Sequence, residues 1–328
     1  MRSQYRSRNF VQAAPTTQLP FLVRASPLHY RREVNQKEHY IDSALEACTA
    51  LGLDGSGARL MRRQSSALIE LPAADVIARV EPAERLESAQ RQVSAARFYA
   101  QRGAPVMRLV CGHAQPWIGT NAVVTLWERL HSTGRVVGPK DLGRLIRAVH
   151  DATGPPFPKG LSLLDPFFDI GWWLAHPGSA IDGLRLQALC ELANQLRERW
   201  PMVCKQDPLG IRMVHADVHI DNIVLTQDGP KLVDLEMSGL GPAGFDLAVP
   251  AVGARRYGHS PEHYKQVLKA YGATPGDWEG FNDLCTCYAL LTTAWAIHCS
   301  DRSPKLLREA RLRTAGLLDG TAAIWTLM

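Results

Sequence analysis

The sequence predicts an α+β chain in two lobes, a small β-rich lobe followed by a larger helical one. Three observations carry this expectation. Between residues 59 and 80, short β-rich runs alternate with turn signals, as closely spaced antiparallel strands do. From about residue 133 the apolar residues fall at helical spacing instead. The 328 residues, 46% hydrophobic and 21% charged, suit a globular chain long enough for about two such units.

Residues 1–40 precede the first lobe. They hold seven Lys/Arg against Glu33 and Glu38, so the formal charge of +5 belongs to them and the rest of the chain carries 30 charges of each sign. With Arg, Ser, Pro and little periodicity, this segment reads as a disordered extension or a misassigned start. The alternative is a basic arm that contacts an acidic partner. Leu19-Pro20-Phe21-Leu22-Val23 is too short for the apolar core of a signal sequence. The neutral remainder gives no argument for a nucleic-acid-binding face and has no acidic surplus to attract a polycation. The seven cysteines form no C-x-x-C pair and no zinc spacing. Cys285 and Cys287 lie in an apolar helical segment and read as buried thiols. An odd cysteine count without a signal sequence points to a cytoplasmic location. The longest apolar stretch, near 286–297, is too short to cross a bilayer, so no membrane contact is expected.

The small lobe should span 41–126. A helix over 41–51 ends at the Gly52…Gly57 cluster. Strands follow at 59–61, 67–71 and 75–80, with turns at Gln64-Ser65-Ser66 and Pro72-Ala73-Ala74. A helix then runs over 84–102, and residues 123–126 form the last strand before a hinge at 127–132. In the large lobe, 133–328, apolar residues at 142, 145, 146 and 149 mark a helix over 141–152 that stops before Gly154-Pro155-Pro156. Another covers 182–200 and stops at Pro201. Further helices lie near 261–271, 278–299 and 303–318.

The stretch richest in chemistry is His215-Ala216-Asp217-Val218-His219-Ile220-Asp221-Asn222, followed twelve residues on by Asp234-Leu235-Glu236. It sets a carboxylate, an amide and a second carboxylate at the spacing used in phosphoryl transfer from Mg·ATP, where kinases show H-R-D-L-x-x-x-N and D-F-G. Asp217 would accept the proton of an attacking hydroxyl, Asn222 would offer its side-chain oxygen to Mg²⁺, and Asp234 would bridge metal and phosphates. Residues 223–226 read as a strand, Gln227-Asp228-Gly229-Pro230 as a turn and Lys231-Leu232-Val233 as the returning strand. Such a hairpin brings Asp234 back beside Asn222. Singly, each of these residues is turn chemistry. Together with His215 they carry a functional reading.

From His215 through Gly244-Phe245-Asp246-Leu247-Ala248 the chain resembles the aminoglycoside phosphotransferase family, with its H-G-D-x-H-x-x-N, I-D-[WFL]-[ED] and [YF]-D-L-A segments. Weaker similarity runs from about residue 55 to the C-terminus. The resemblance implies a bilobal protein-kinase-like fold and ATP-dependent O-phosphorylation of a small-molecule hydroxyl. Acceptors across that family range from aminoglycosides and other antibiotics to amino alcohols and sugars, so it names a reaction and not a substrate. It implies Asp217 as base, Asn222 and Asp234 as magnesium ligands, and Asp246 as a buried carboxylate bracing the catalytic loop. His215 would pack within that loop and His219 matches the family's histidine. Asp221 stands where Gly is frequent, and Glu236 would add an outer-sphere metal contact or cap the next turn.

The same resemblance places Arg79 where kinases carry the lysine that grips the α- and β-phosphates, since triphosphate charge must be neutralised in a cleft. The other reading of Arg79 is a solvent-facing strand residue. Aligning Arg91-Gln92-Val93 with the usual R-E-V puts Gln92 at the position of the glutamate that pairs with that cation. Glu87 is the nearest acid in the same helix. At the hinge, the backbone of Glu128 and Leu130 would hydrogen-bond adenine, with Trp127 either behind the pocket or in the core. Asp283, Trp295 and Asp301 fall where relatives shape the acceptor pocket, against the reading of two surface acids and a core Trp. Gly55-Ser56-Gly57 is a lone G-x-G and reads as a turn, and the loop near 64–66 lacks G-x-G-x-x-G. His259 and His263, with Pro261 between them, do not make a metal motif.

Two rival functions remain open. A non-catalytic nucleotide-binding pseudokinase or scaffold draws on Gln92, the glycine-poor loop and Arg in place of Lys. The intact Asp217, Asn222 and Asp234 oppose it. A protein kinase is opposed by the lack of an A-P-E segment, with only Leu240-Gly241-Pro242-Ala243-Gly244 in the place of an activation loop.

Overall fold

A computed structural model describes residues 36–63, 66–276 and 278–326. The expected basic extension falls outside the described residues up to position 35, as do Gln64 and Ser65 of the expected nucleotide loop. Helix α1 (Gln36–Leu51) takes in residues 36–40, which the sequence assigns to the extension. It ends where Gly52 adopts φ +68°, with the Leu53 amide donating to the Cys48 carbonyl at 2.9 Å. A glycine satisfies that left-handed closure without a Cβ penalty.

The small lobe is built on a five-stranded antiparallel sheet of β1 (Arg59–Arg63), β2 (Ala67–Leu71), β3 (Val76–Pro82), β4 (Trp117–Ile118) and β5 (Ala122–Glu128), in the order β1-β2-β3-β5-β4. Strand period 2 divides its residues between two faces. Ala78 and Val80 of β3 pack with Ala44, Ala47 and Cys48 of α1 in one apolar cluster. Arg79 and Glu81 therefore point to the opposite side, toward the second lobe. Helix α2 (Leu86–Gln101) covers that side, and its Ala95, Ala96, Phe98 and Tyr99 join the core of the large lobe rather than that of the sheet.

The large lobe contains α3 (Pro139–Ala152), α4 (Pro166–Ala175), α5 (Gly183–Gln206), α6 (Gly244–Arg256), α7 (Pro261–Tyr271), α8 (Gly280–His298) and α9 (Pro304–Leu318). Interleaved are β6 (Ile211–Val214), β7 (Ile223–Thr226), β8 (Gly229–Leu232) and β9 (Gly239–Pro242), paired as β6-β9 and β7-β8. Helix α8 packs against α4, α5, α6 and α9, and Cys285 and Cys287 are among its buried residues. A helix apolar on nearly every side is one enclosed by neighbours.

The expected helix end at Pro201 is wrong. Helix α5 does not stop at Pro201 but runs through it to Gln206. Leu189 and Leu196 before the proline and Val203 after it are all buried, so packing on both sides offsets the hydrogen bond the ring removes. Helix α4 is absent from the sequence reading because Phe167-Phe168-Asp169-Ile170-Gly171-Trp172-Trp173-Leu174 is too uniformly apolar to show a stripe. Among the described residues no helix is long and apolar enough to cross a membrane.

Candidate active site

The loop 215–222 leaves β6 and is held from beneath by one carboxylate. Asp246, in the first turn of α6 and 1% exposed, accepts the His215 amide at 3.1 Å and the Ala216 amide at 2.7 Å. Its Oδ2 also lies 2.9 Å from His150 Nε2 on α3, whose Nδ1 meets the Tyr271 hydroxyl of α7 at 3.0 Å. The brace is needed because Ala216 sits at φ +67°, a backbone region unfavourable to residues with a Cβ.

His215 links the two ends of the motif. Its Nε2 lies 2.8 Å from the Val233 carbonyl, and its Nδ1 accepts the Asp217 amide at 3.3 Å. The Val233 amide donates in turn to the Asn222 carbonyl at 2.9 Å. The β7-β8 hairpin, in register Ile223↔Leu232 through Thr226↔Gly229, thus returns the chain so that Asp217, Asn222 and Asp234 line one cavity of about 420 Å³.

Within it, Asn222 Nδ2 donates to Asp217 Oδ2 at 3.1 Å and to the Asp217 carbonyl at 2.9 Å. Tyr288 of α8 donates its hydroxyl to Asp217 Oδ1 at 2.7 Å. His219 Nε2 stands 3.5 Å from Asp217 Oδ2, with Asp221 3.8 Å from its other ring nitrogen. Desolvation works against the Asp217 charge, but His219 and the donated hydrogen bonds prevail and hold its carboxyl down at about 2. An ionised carboxylate at neutral pH follows, the state required of a group that takes a proton.

Arg79 is 5% exposed, which rules out the solvent-facing reading. Its Nη1 donates to Asp234 Oδ1 at 2.6 Å, its Nη2 bonds Glu236, and its Nε lies 3.6 Å from Glu81 Oε2. Glu236 also accepts from Arg85 at 2.8 Å, and Arg85 donates to the buried Asp169 at 2.9 Å. Glu236 therefore bonds two guanidinium groups. Arg62 of β1 lies 3.6 Å from Asp234 Oδ2.

Sequence reasoning missed Glu81. The acid beside the cation comes from β3 itself, two residues along the same strand face, and Gln92 of α2 donates to it at 3.1 Å. Gln92 thus orients a carboxylate and does not replace one. Glu87 does not enter the Arg79 cluster; it lines a separate surface hollow with Arg91 and Ser94. The alternation Arg79-Val80-Glu81 was the available signal.

Burial, opposed by Arg79 and reinforced by Glu236, pushes the Glu81 carboxyl up to about 7. An acid raised above its unfolded value stabilises fully below that unfolded value and loses the contribution as pH climbs through the folded one. Glu81→Gln should therefore gain melting temperature relative to the parent between about pH 5 and about pH 8. A constant difference across that range would refute the assignment.

The far wall of the cavity comes from α4, α8 and α9: Trp173, Tyr288, Leu291, Thr292, Trp295 and Arg313. Tyr288, Leu291, Thr292 and Trp295 follow the i, i+3, i+4, i+7 spacing of one helical face. Trp295 thus lines the cavity, and Asp283 and Asp301 do not. Asp283, five residues before Tyr288 and so turned well off that face, forms a two-pronged pair with Arg199 of α5 at 2.9 Å per contact. Asp301 accepts the Ser179 amide at 2.9 Å and its hydroxyl as well. Asp283 joins α8 to α5, Asp301 ties the turn after α8 to the loop between α4 and α5, and neither lines the cavity.

At the hinge, Glu128 and Leu130 also lie outside that cavity. The Glu128 amide donates to the Arg108 carbonyl at 2.9 Å. Trp127 is 2% exposed within the large-lobe core, with its indole N–H donating to Thr125 Oγ1 at 2.9 Å. It is a core residue.

The donor set fits a hard divalent cation. Asp234 offers carboxylate oxygen, and the Asn222 amide turns its nitrogen to Asp217, which leaves its oxygen for other partners. Two protein oxygens in a cavity roomy enough for phosphates and water match the way Mg²⁺ is held.

The sequence pattern of the phosphotransferase enzyme family matches residues 62–284. A thiamine kinase of Salmonella paratyphi B is 39% identical over 66 residues, 20% of this chain and 22% of that protein. The chain thus aligns with less than a quarter of the length of the curated relatives it matches. An amicoumacin kinase solved in complex with AMP-PNP, Ca²⁺ and Ami superposes with a TM-score of 0.65 at 14% identity, covering 90% of this chain and 98% of the other. A choline kinase of Streptococcus pneumoniae gives 0.59 at 13% identity over 86% and 100%. At these identities the two superpositions establish a shared bilobal kinase-like fold.

Proposed function

The chain belongs to the phosphotransferase enzyme family, and we propose that it transfers the γ-phosphoryl group of ATP to a hydroxyl of a small molecule. The observation that carries this reading is the convergence of Asp217, Asn222 and Asp234 on one cavity. Asp217 is the base: as the acceptor oxygen closes on the γ-phosphorus, its proton passes to the carboxylate. The transition state is loose and in line, so most of the work is placement and charge neutralisation.

Arg79 exchanges Asp234 and Glu236 for α- and β-phosphate oxygens, while Glu81, oriented by Gln92, keeps the guanidinium in place. The Glu128 carbonyl and the Leu130 amide take adenine at the hinge. Asn222 and Asp234 hold Mg²⁺. When bound, the metal draws charge from the phosphate oxygens. His215 and Asp246 keep the loop in shape. The carboxylate supplied by Glu81 weighs against the non-catalytic reading, which drew on Gln92.

Relatives named for thiamine, choline and amicoumacin support an acceptor that is an antibiotic, an amino alcohol or a sugar-like metabolite. Trp295, with Trp173 and Thr292, would form the wall that receives it. The cysteine usage supports a cytoplasmic setting, and the neutral body supports a partner that is neither nucleic acid nor membrane.

The test is thermal melting with Mg²⁺ alone, ATP alone and Mg·ATP. Nucleotide at 100 times its dissociation constant stabilises by about 2.7 kcal/mol, a shift of several degrees for a chain of this size. The shift should require both components. None at millimolar Mg·ATP would sink the proposal.

A further inference from the structure

We propose that Tyr288 is a positioning residue that occupies one oxygen of Asp217 and keeps water from being activated there, reserving the base for a nucleophile delivered by the acceptor wall. This rests on the reading of Asp217 as base. The two carboxylate oxygens have different surroundings. Oδ2 is held within its own loop, by Asn222 at 3.1 Å and near His219 at 3.5 Å. Oδ1 is held from across the cavity, by the Tyr288 hydroxyl at 2.7 Å, 71 residues away in sequence.

The tyrosine is fixed. It is 4% exposed and stands edge-on to Phe245, ring centroids 6.3 Å apart at 89°. Its hydroxyl nevertheless reaches the cavity that Asp217, Thr292 and Trp295 also line. Packing alone would be served by phenylalanine on this apolar helix. The hydroxyl adds a donor to Oδ1 and fills the volume beside it. A carboxylate keeps further lone pairs when two donors are in place, so an acceptor hydroxyl arriving from the Thr292–Trp295 side can still bond Oδ1.

Removal of the phenolic oxygen vacates a polar, cavity-facing position of the kind a water occupies. With ATP bound, that water becomes the nucleophile. Its oxygen bonds the γ-phosphorus, the bond to the β–γ bridging oxygen breaks with its electron pair leaving on ADP, and the water proton passes to Asp217 and on to solvent. The products are ADP and inorganic phosphate.

The experiment measures phosphate release from Mg·ATP without any acceptor, in the parent protein and in Tyr288→Phe, alongside Mg·ATP affinity by titration. We expect release to rise about tenfold in the variant, the equivalent of one hydrogen bond's worth of shielding, with affinity unchanged. Adding Asp217→Asn to Tyr288→Phe should abolish the gain. Release that is unchanged or lower in a variant that still binds Mg·ATP overturns the proposal, as does a gain that survives loss of Asp217. A purely structural tyrosine would lower stability and raise nothing. If the parent protein fails to bind Mg·ATP, the functional reading beneath falls instead, so the two failures are told apart.

Discussion

Asp217→Asn is expected to lower turnover by about 10²–10⁴ while leaving Mg·ATP affinity near that of the parent. The amide has the carboxylate's shape but cannot take a proton from the acceptor. It also disturbs one contact whichever way it faces. With its nitrogen toward Asn222, two donors meet; with its nitrogen toward Tyr288, the phenol must turn from donor to acceptor. The Asn222 contact runs through that residue's amide nitrogen and leaves its oxygen for Mg²⁺, so with the new amide nitrogen turned toward Tyr288 binding survives. Asp234→Asn is the contrast, because it removes charge from the residue that bonds Arg79 at 2.6 Å and is assigned to Mg²⁺. It should lose magnesium-dependent affinity together with turnover. The measurements are nucleotide titration and phosphate transfer to an acceptor found by screening amines, sugars and antibiotics. Full activity in Asp217→Asn would remove the base assignment.

How legible these residues were depends on how local their interactions are. The segment 215–236 can be read from sequence because a short hairpin, His215 and the turn at Gln227-Asp228 bring its functional atoms together with little help from elsewhere. The strand at 67–71 was also visible, from β-rich residues between turns, and the helix at 261–271 was placed there too; in the structure Pro261 starts it and Gly272 ends it. Glu81 required knowing that the face of β3 opposite α1 looks into the cleft. Tyr288 required the phase of α8 relative to a loop 71 residues away. That phase also decided against Asp283, since an acid within a pocket-forming helix serves the pocket only if it lies on the inner face. Asp301 failed for a related reason, as it lies past the end of α8 and caps a neighbouring loop. Gln92 misled because alignment shows which residue replaces glutamate and not where another glutamate stands in space.

Asp246→Ala is expected to be the costliest single change to stability in the molecule's catalytic half. The carboxylate is 1% exposed and accepts two loop amides, at 2.7 and 3.1 Å, with the His150 ring nitrogen at 2.9 Å. Alanine leaves all three facing a dry void. Buried donors stripped of a charged acceptor cost about 3–5 kcal/mol, a fall on the order of 10 °C in melting temperature for a chain of this length. Asp246→Asn should lie between, because its one oxygen can serve a single amide while its nitrogen opposes another donor. Activity should fall further than stability in both variants. Ala216 keeps its φ of +67° only while its amide is held, and the Asp217 carboxylate is carried on the next residue. Measured well below the melting temperature, the folded Asn variant should therefore retain nucleotide binding at Arg79 and lose turnover. An Ala variant that melts with the parent would show that the loop holds its shape without this carboxylate, and Asp246 would then be one buried acid among several.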